Sequence, residues 1–318
     1  MKLFIIIPAY NEEDSIVEVI KKIPKNIEGV DEIKVLVIND GSTDNTIKKV
    51  KLETNALIIS HCQNKGVGVA FHSGINYALE EKANIVVNID ADGQFDPLDI
   101  PKLINPILKN QADFVTASRF IDNNFIPKMS KTKFWGNKKV ARLISWLVKK
   151  KFYDVSCGFR AYNKEAILYL NLFGQFTYVQ EVFLDLSFKG LRIKEIPIKV
   201  KYFSERKSRI FKGVFHYAFN TLKIIFRTLR DYRPLNFFGS IGLIVFIIGL
   251  IPDVFVMIHF FQAGSFTPYK AVGFAGIFLN IIGLGILFLA LVADMLYRIR
   301  MNQEKMLYYE KKRYYYEK

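Results

Sequence analysis

Over the first 120 positions, apolar and polar residues come in blocks whose period changes. Leu3–Ile7 is a continuous apolar run that stops at Pro8, the pattern of a strand buried on both faces. Shorter, mostly apolar segments at Ile33–Ile38, Ala56–Ser60, Ile85–Ile89 and Asp113–Ser118 predict four more strands. Between them the apolar spacing shifts to three and four. Ile16, Val19, Ile20 and Ile23 fall on one face of a helix over Glu12–Ile23. Further helices are predicted at Ser42–Leu52, capped by Ser42 or Thr43, at Val67–Glu81 behind Lys65-Gly66-Val67-Gly68, and at Pro97–Lys109. Strict alternation of strand and helix predicts an α/β unit, a mostly parallel sheet with helices on both faces.

The last third has a different pattern. Phe237 to Phe261 is 25 residues with one charge, Asp253, and Val272 to Val292 is 21 residues with none. At 1.5 Å per residue each run crosses a hydrocarbon layer of about 30 Å. Arg227, Arg230 and Arg233 flank one end of this hairpin, and Arg298, Arg300 and Lys305 the other. The positive-inside rule then puts both termini in the cytoplasm. Ahead of the hairpin, over Ser208–Pro234, Phe211, Val214, Phe215, Ala218, Phe219, Leu222 and Phe226 recur at helical spacing among Lys212, Lys223, Arg227 and Arg230. That is the signature of an interfacial amphipathic helix or of one packed on the soluble part. The resulting division is a catalytic unit over 1–207, a juxtamembrane region over 208–235, a two-helix transmembrane hairpin over 236–295 and a basic, Tyr-rich tail over 296–318. Phe4–Ile7 is too short for a signal peptide.

Charge sharpens this division. The chain of 318 residues has 45 Lys+Arg against 30 Asp+Glu, yet 51% of it is hydrophobic. Residues 1–110 hold 12 basic and 16 acidic residues, whereas 111–235 hold 25 and 9, a net +16. The excess therefore lies in the middle third and calls for an anionic partner there. Nucleic acid fits the total charge, but no base-reading motif is present. Two cysteines, Cys62 and Cys157, make no disulfide framework. The four histidines are scattered and none reads as a ligand.

In open parallel sheets, ligands bind at the carboxyl ends of the strands. Three polar loops leave that edge here: Pro8-Ala9-Tyr10-Asn11-Glu12-Glu13, Asn39-Asp40-Gly41-Ser42-Thr43-Asp44 and Asp90-Ala91-Asp92-Gly93-Gln94. A single strand-end Asp is as often a helix cap. Three such loops together make a site. Asp90 and Asp92, one residue apart with Gln94 beside them, suit Mg²⁺ or Mn²⁺, which favour oxygen ligands and share phosphate.

These three loops, with Asn64-Lys65-Gly66 and Ser156-Cys157-Gly158-Phe159-Arg160-Ala161-Tyr162, resemble family 2 inverting glycosyltransferases of the GT-A fold. With the hairpin, the chain resembles the dolichol-phosphate mannose synthase and bacterial polyprenyl-phosphate glycosyltransferase branch. The resemblance implies that Pro8, Tyr10 and Glu12 hold base and ribose, that Asp40 hydrogen-bonds the base, and that Lys65 lies near the nucleotide. It implies that Asp90 and Asp92 bind the metal with Gln94 in support. Arg119 and Arg160 are implied on the acceptor-phosphate side, and Arg206 and Ser208 in a basic loop over the phosphates. Where some members carry Asp before the Phe-Arg pair, this chain has Gly158. Asp154 and Glu181 are the acids nearby, each a candidate base or a structural residue.

The basic run Lys128, Lys131, Lys133, Lys138, Lys139 and Arg142 reads as membrane docking, acceptor-phosphate binding or a solvated helix face. The implied reaction moves a sugar from a UDP- or GDP-sugar to an undecaprenyl or dolichyl phosphate at the cytoplasmic membrane face. The alternative is a membrane-anchored transferase acting on a glycan. A processive polysaccharide synthase would carry a Gln-x-x-Arg-Trp segment, which is absent. Glycines 239, 242, 249, 283 and 285 leave room for homo-oligomers or for packing within the hairpin.

Overall fold

A computed structural model describes residues 1–127, 129–171, 178–201, 226–227 and 229–317, and only the backbone of 131–133 and 178. The chain divides into two compact units, Met1–Thr221 with Leu307–Lys318, and Leu222–Met306.

The first unit is built on a seven-stranded sheet. Its strands are β1 (Lys2–Ala9), β2 (Glu32–Asn39), β3 (Leu57–Ser60), β4 (Ile85–Asn88), β5 (Phe114–Ser118), β6 (Arg160–Asn163) and β7 (Ile193–Pro197), in spatial order β3-β2-β1-β4-β6-β5-β7. β1 pairs in parallel with β2 and β4, and β5 with β7, while β6 runs antiparallel between β4 and β5. The helices are α1 (Ile16–Lys21), α2 (Thr46–Glu53), α3 (Val67–Glu80), α4 (Ile100–Leu108), α5 (Lys131–Val148), α6 (Lys164–Tyr169) and α7 (Tyr178–Phe188).

The unbroken apolar runs follow from burial on both faces of the sheet. Leu3, Ile5 and Ile7 of β1 join Val37, Val87, Ile104 and the α1 residues Ile16 and Val19 in one core. On the opposite face, α3 lies so close that a Cβ on Gly74 would meet Ile38 at 3.0 Å and Ile6 at 3.3 Å.

Two predicted helices are shorter than their patterns. α1 begins at Ile16, not Glu12, and α2 at Thr46, not Ser42. Neither Ser42 nor Thr43 caps α2. Ser42 Oγ accepts from Asn11 N–H at 3.0 Å, and Thr43 N–H donates to Asn11 Oδ1 at 2.8 Å. Loop-to-loop contacts therefore displace the cap.

The second unit contains α8 (Pro234–Ala263) and the first part of α9 (Lys270–Tyr316), both long and apolar enough to cross a membrane. Their backbones pack closely: a Cβ on Gly283 would lie 2.7 Å from Phe246 N, and one on Gly242 3.0 Å from Gly283 O. Two polar side chains cross this seam, Asn280 Nδ2 donating to Asp253 Oδ2 at 2.5 Å. Each lies over a glycine of the other helix, Asp253 over Gly276 and Asn280 over Gly249. Gly242, Gly249 and Gly283 thus serve packing inside the hairpin.

From Leu307 onward, α9 belongs to the first unit. The Tyr308 ring stacks on Tyr169 at 4.2 Å, and its hydroxyl donates to Glu165. Lys311 Nζ donates to Leu170 O and Asn171 Oδ1 at 3.0 and 2.8 Å. Tyr316 donates to Ala83 O, with Lys164 Nζ 3.6 Å from its ring centre. Tyr308 and Tyr316 thus pack the end of the tail on this unit, while Tyr309 and Tyr314 stay exposed. Most of the expected juxtamembrane helix, over 208–225, lies outside the described residues.

Candidate active site

β1, β2 and β4 are parallel neighbours, with Ala9 opposite Asn39 and Ile6 opposite Asn88. Their following loops therefore emerge at one sheet edge. The first two loops interlock. Three successive backbone N–H groups, of Asn11, Glu12 and Glu13, donate to Ser42 Oγ, Thr46 Oγ1 and Asp44 Oδ2. Asn11 turns the chain with φ 55°, a conformation that Asn tolerates. Burial pushes the Asp44 carboxyl up, but hydrogen bonds from the Thr46 hydroxyl and the Thr46 and Glu13 amides hold it below its ordinary value. The Ser-Thr-Asp of this motif is thus a brace for the Tyr10–Glu13 loop. Tyr10, Glu12 and Pro8 are half-buried at its edge.

Asp40, expected at the base, follows β2. Its carboxylate is buried, and it accepts from Lys65 N–H at 2.9 Å and Gly66 N–H at 2.8 Å. His61 Nδ1 lies 2.8 Å from the same carboxylate, and its Nε2 is 3.0 Å from Ser73 Oγ. Asp40 fixes the turn that opens α3 and holds exposed Lys65 at its start. His61, to which the sequence reading gave no role, completes this anchor. Gly41, at φ 75°, admits the turn: a Cβ there would sit 2.5 Å from the Gln63 backbone.

Asp90 and Asp92 follow β4. Burial and then the neighbouring Asp92 push the Asp90 carboxyl up to about 7, with Glu12 adding to the rise and Arg160 and Arg119 opposing it. Such crowded negative charge fits a divalent cation, with two hard oxygen ligands from the protein and the rest from water or phosphate. Asp92 Oδ1 accepts from Gln94 N–H at 3.0 Å, so Gln94 supports the pair through its backbone. Among the described residues no group of three or more His, Cys, Asp or Glu side chains could hold a metal.

Gly158 lies against this pair. A Cβ there would be 2.8 Å from Asp90 Oδ2, and Gly158 O accepts from Asn88 Nδ2 at 2.9 Å. Gly158→Ala is expected to displace the Asp90 carboxylate and slow transfer by about tenfold to a hundredfold, measured as initial rate at saturating metal.

The candidate acceptor residues separate. Arg160 does not reach a phosphate: it is fully buried on β6. Its Nε donates to Cys157 O at 2.7 Å, Nη1 to Val179 O at 2.7 Å and Nη2 to Val155 O at 3.2 Å. It clamps the Val155–Gly158 loop that carries Gly158 to Asp90. Asp154 is likewise no open base. It is buried and forms a two-point pair with Arg119, Nε to Oδ2 at 2.6 Å and Nη2 to Oδ1 at 2.8 Å. Ser156 Oγ also accepts from Arg119 Nη2 at 2.8 Å. Asp154 and Ser156 therefore aim Arg119, whose charge is felt at Asp90. Behind them Glu195, missed by the sequence reading, accepts from Asp154 N–H at 2.8 Å, and burial pushes its carboxyl up to about 7.

Glu181 is half-buried in the first turn of α7. Burial pushes the Cys157 thiol up to about 12, which leaves it protonated and inert. Lys131 and Lys133 lie in the first turn of α5, and their side chains, like Arg206 and Ser208 as a whole, lie outside the described residues.

Comparison with known proteins gives the class. The model of glycosyl transferase family 2 matches residues 4–169, more than half of the chain, and the chain belongs to that family. It is 33% identical over 219 residues to the UDP-N-acetylglucosamine–dolichyl-phosphate N-acetylglucosaminyltransferase of Methanococcus voltae, covering 63% of this chain and 86% of that one. It is 28% identical over 256 residues to the dolichol-phosphate mannosyltransferase of Pyrococcus furiosus, covering 77% and 67%. Among solved structures it resembles Mycobacterium tuberculosis glucosyl-3-phosphoglycerate synthase, crystallised with Mn²⁺, uridine-diphosphate and phosphoglyceric acid. That TM-score is 0.54 at 22% identity, covering 73% of this chain and 78% of that one. At that identity the likeness shows a shared fold. The sheet with its Asp pair is thus a glycosyltransferase framework.

Proposed function

We propose that this enzyme transfers one sugar from a nucleotide-diphosphate sugar to a polyprenyl phosphate at the cytoplasmic membrane face, with inversion at the anomeric carbon. One observation carries the acceptor assignment. The chain carries two helices apolar enough to cross a bilayer, and relatives of it are named for dolichyl-phosphate or dolichol-phosphate substrates.

In this reading the braced Tyr10–Glu13 loop and Lys65 receive the nucleotide. Asp90 and Asp92 would hold Mg²⁺ or Mn²⁺, which neutralises the charge of a departing diphosphate. Arg119, fixed by Asp154 and Ser156, draws the acceptor phosphate toward the sugar. The protein's contribution is placement of two anionic reactants and charge stabilisation. A phosphate monoester, with a second pKa near 6, is already largely dianionic at pH 7 and needs little help from a base. Burial of Asp154 in its ion pair agrees with that economy. The basic flanks of the hairpin support cytoplasmic termini.

The test is transfer by purified full-length protein, offered radiolabelled UDP- and GDP-sugars with undecaprenyl or dolichyl phosphate. Label in the organic-extractable lipid is expected. Label confined to an aqueous glycan overturns the acceptor assignment.

A further inference from the structure

Asp154 aims Arg119, but Asp154 must itself be placed. Its backbone lies in the irregular stretch between α5, which ends at Val148, and β6, which begins at Arg160, so no helix or strand ladder holds it. Three successive amides there donate to side chains instead. Phe152 N–H donates to Ser145 Oγ of α5 at 2.9 Å. Tyr153 N–H donates to Glu195 Oε2 at 2.9 Å and Oε1 at 3.1 Å, and Asp154 N–H to Glu195 Oε1 at 2.8 Å. Glu195 stands on β7, opposite Thr116 in the parallel register with β5, and Arg119 directly follows β5. The contacts therefore close a circuit. It runs from β7 through Glu195 to the Asp154 backbone, through the Asp154 carboxylate to Arg119, and back through the β5–β7 ladder. A guanidinium held in such a circuit keeps its place to the fraction of an ångström that placing a reactant demands.

Satisfying two amides does not by itself call for this residue. The Asp154 charge pushes against the Glu195 carboxyl, so a second acid here is a poor choice for stability alone. What it supplies is two acceptor oxygens and no donor, spaced to span two adjacent amides. Glutamine would turn its amide N–H groups toward one of them, and aspartate is one methylene shorter. Arg119 is 8% exposed, so only a small part of it faces the site, and a small tilt would withdraw it.

We propose that Glu195 is a positioning residue for Arg119, acting through the Asp154 backbone to set how the guanidinium meets the acceptor phosphate. This role rests on the proposed polyprenyl-phosphate reaction, in which Arg119 is the acceptor-side cation.

Initial rates are measured with full-length protein, undecaprenyl phosphate and the nucleotide sugar that labels the lipid, at about pH 8. There the Glu195 carboxyl, which burial raises to about 7, is ionised and both oxygens accept. Glu195→Ala is expected to raise the acceptor KM about tenfold and to leave the donor KM unchanged. Glu195→Gln, which keeps one acceptor oxygen, is expected to fall between the alanine variant and the unmodified protein, and it carries the test if the alanine variant does not fold. In an Arg119→Met background neither substitution should weaken transfer further, since the group they position is gone. An unchanged acceptor KM overturns the role, and so do equal rises in both KM values. Losses that multiply with that of Arg119→Met overturn it too, because a residue that only supports the fold acts in both backgrounds. Unmodified protein that labels no lipid overturns the polyprenyl-phosphate reading, and this role with it. Label by the unmodified protein, followed by multiplying losses in the variants, overturns this role alone.

Discussion

Asp92→Asn is expected to slow sugar transfer by about a thousandfold while leaving the fold intact. The two expectations have one cause. Asp90 and Asp92 are crowded carboxylates, and the second is a large contributor to the upward shift of the first. Removing one charge relieves repulsion, and Asn retains the Oδ1 that accepts from Gln94 N–H. Stability should therefore hold or rise slightly. On the proposed function chemistry should suffer, because a divalent ion left with one hard ligand would bind weakly, and the charge stabilisation it would supply is worth several kcal/mol. About 4 kcal/mol corresponds to a thousandfold in rate. Initial rates across a Mg²⁺ and Mn²⁺ titration, beside a thermal melt of the same preparation, check both halves. Unchanged rates, or a collapsed melt, would show that Asp92 is a structural turn residue.

The parts of this fold written in long local patterns were legible before the structure. β1 and β4 are buried on both faces and appear as apolar runs, and β2 is buried over Leu36–Asn39. Their parallel order places the three polar loops at one edge. What escaped is what depends on partners far along the chain. β6 is four residues, Arg160–Asn163, opening on a buried arginine, and its strand character comes from pairing with β4 on one side and β5 on the other. A charged residue in a short segment reads as loop, and the three backbone carbonyls that satisfy Arg160 are invisible in sequence. The same holds for the anchoring of Asp40: the Lys65 and Gly66 amides that its carboxylate accepts from lie far along the chain. Ser42 and Thr43 read as caps because their neighbourhood suggests a helix start. Only the approach of Asn11 reveals them as braces. The Tyr-rich tail reads equally as a segment on the headgroups or as a solvated helix, and nothing local shows Tyr308 packing on α6. Stacking on Tyr169 decides it.

Asp154→Ala is expected to destabilise the catalytic unit by about 3–5 kcal/mol, the cost of leaving a buried charge without its partner. For a unit of this size that lowers the melting temperature by about 10 °C. Burial alone would raise the Asp154 carboxyl. The Arg119 charge and the hydrogen bonds from Arg119 and Ser156 more than offset it and hold the carboxyl below its ordinary range. A carboxyl depressed in the folded state contributes stability above its unfolded pKa and loses it as pH falls through the folded one. The gap between Asp154→Ala and the unmodified protein should therefore be full at neutral pH and close in acid. Asp154→Leu combined with Arg119→Met should recover much of the melting temperature that Asp154→Leu alone loses, because the orphaned guanidinium goes with its partner. On the proposed function the recovered protein should still transfer poorly, since Arg119 would be the group offered to the acceptor. An essential base would behave oppositely: Asp154→Ala would keep its melting temperature and lose only turnover, and the double variant would gain nothing in stability. Melts of the four proteins, each at neutral and acid pH, separate a positioning residue from a base.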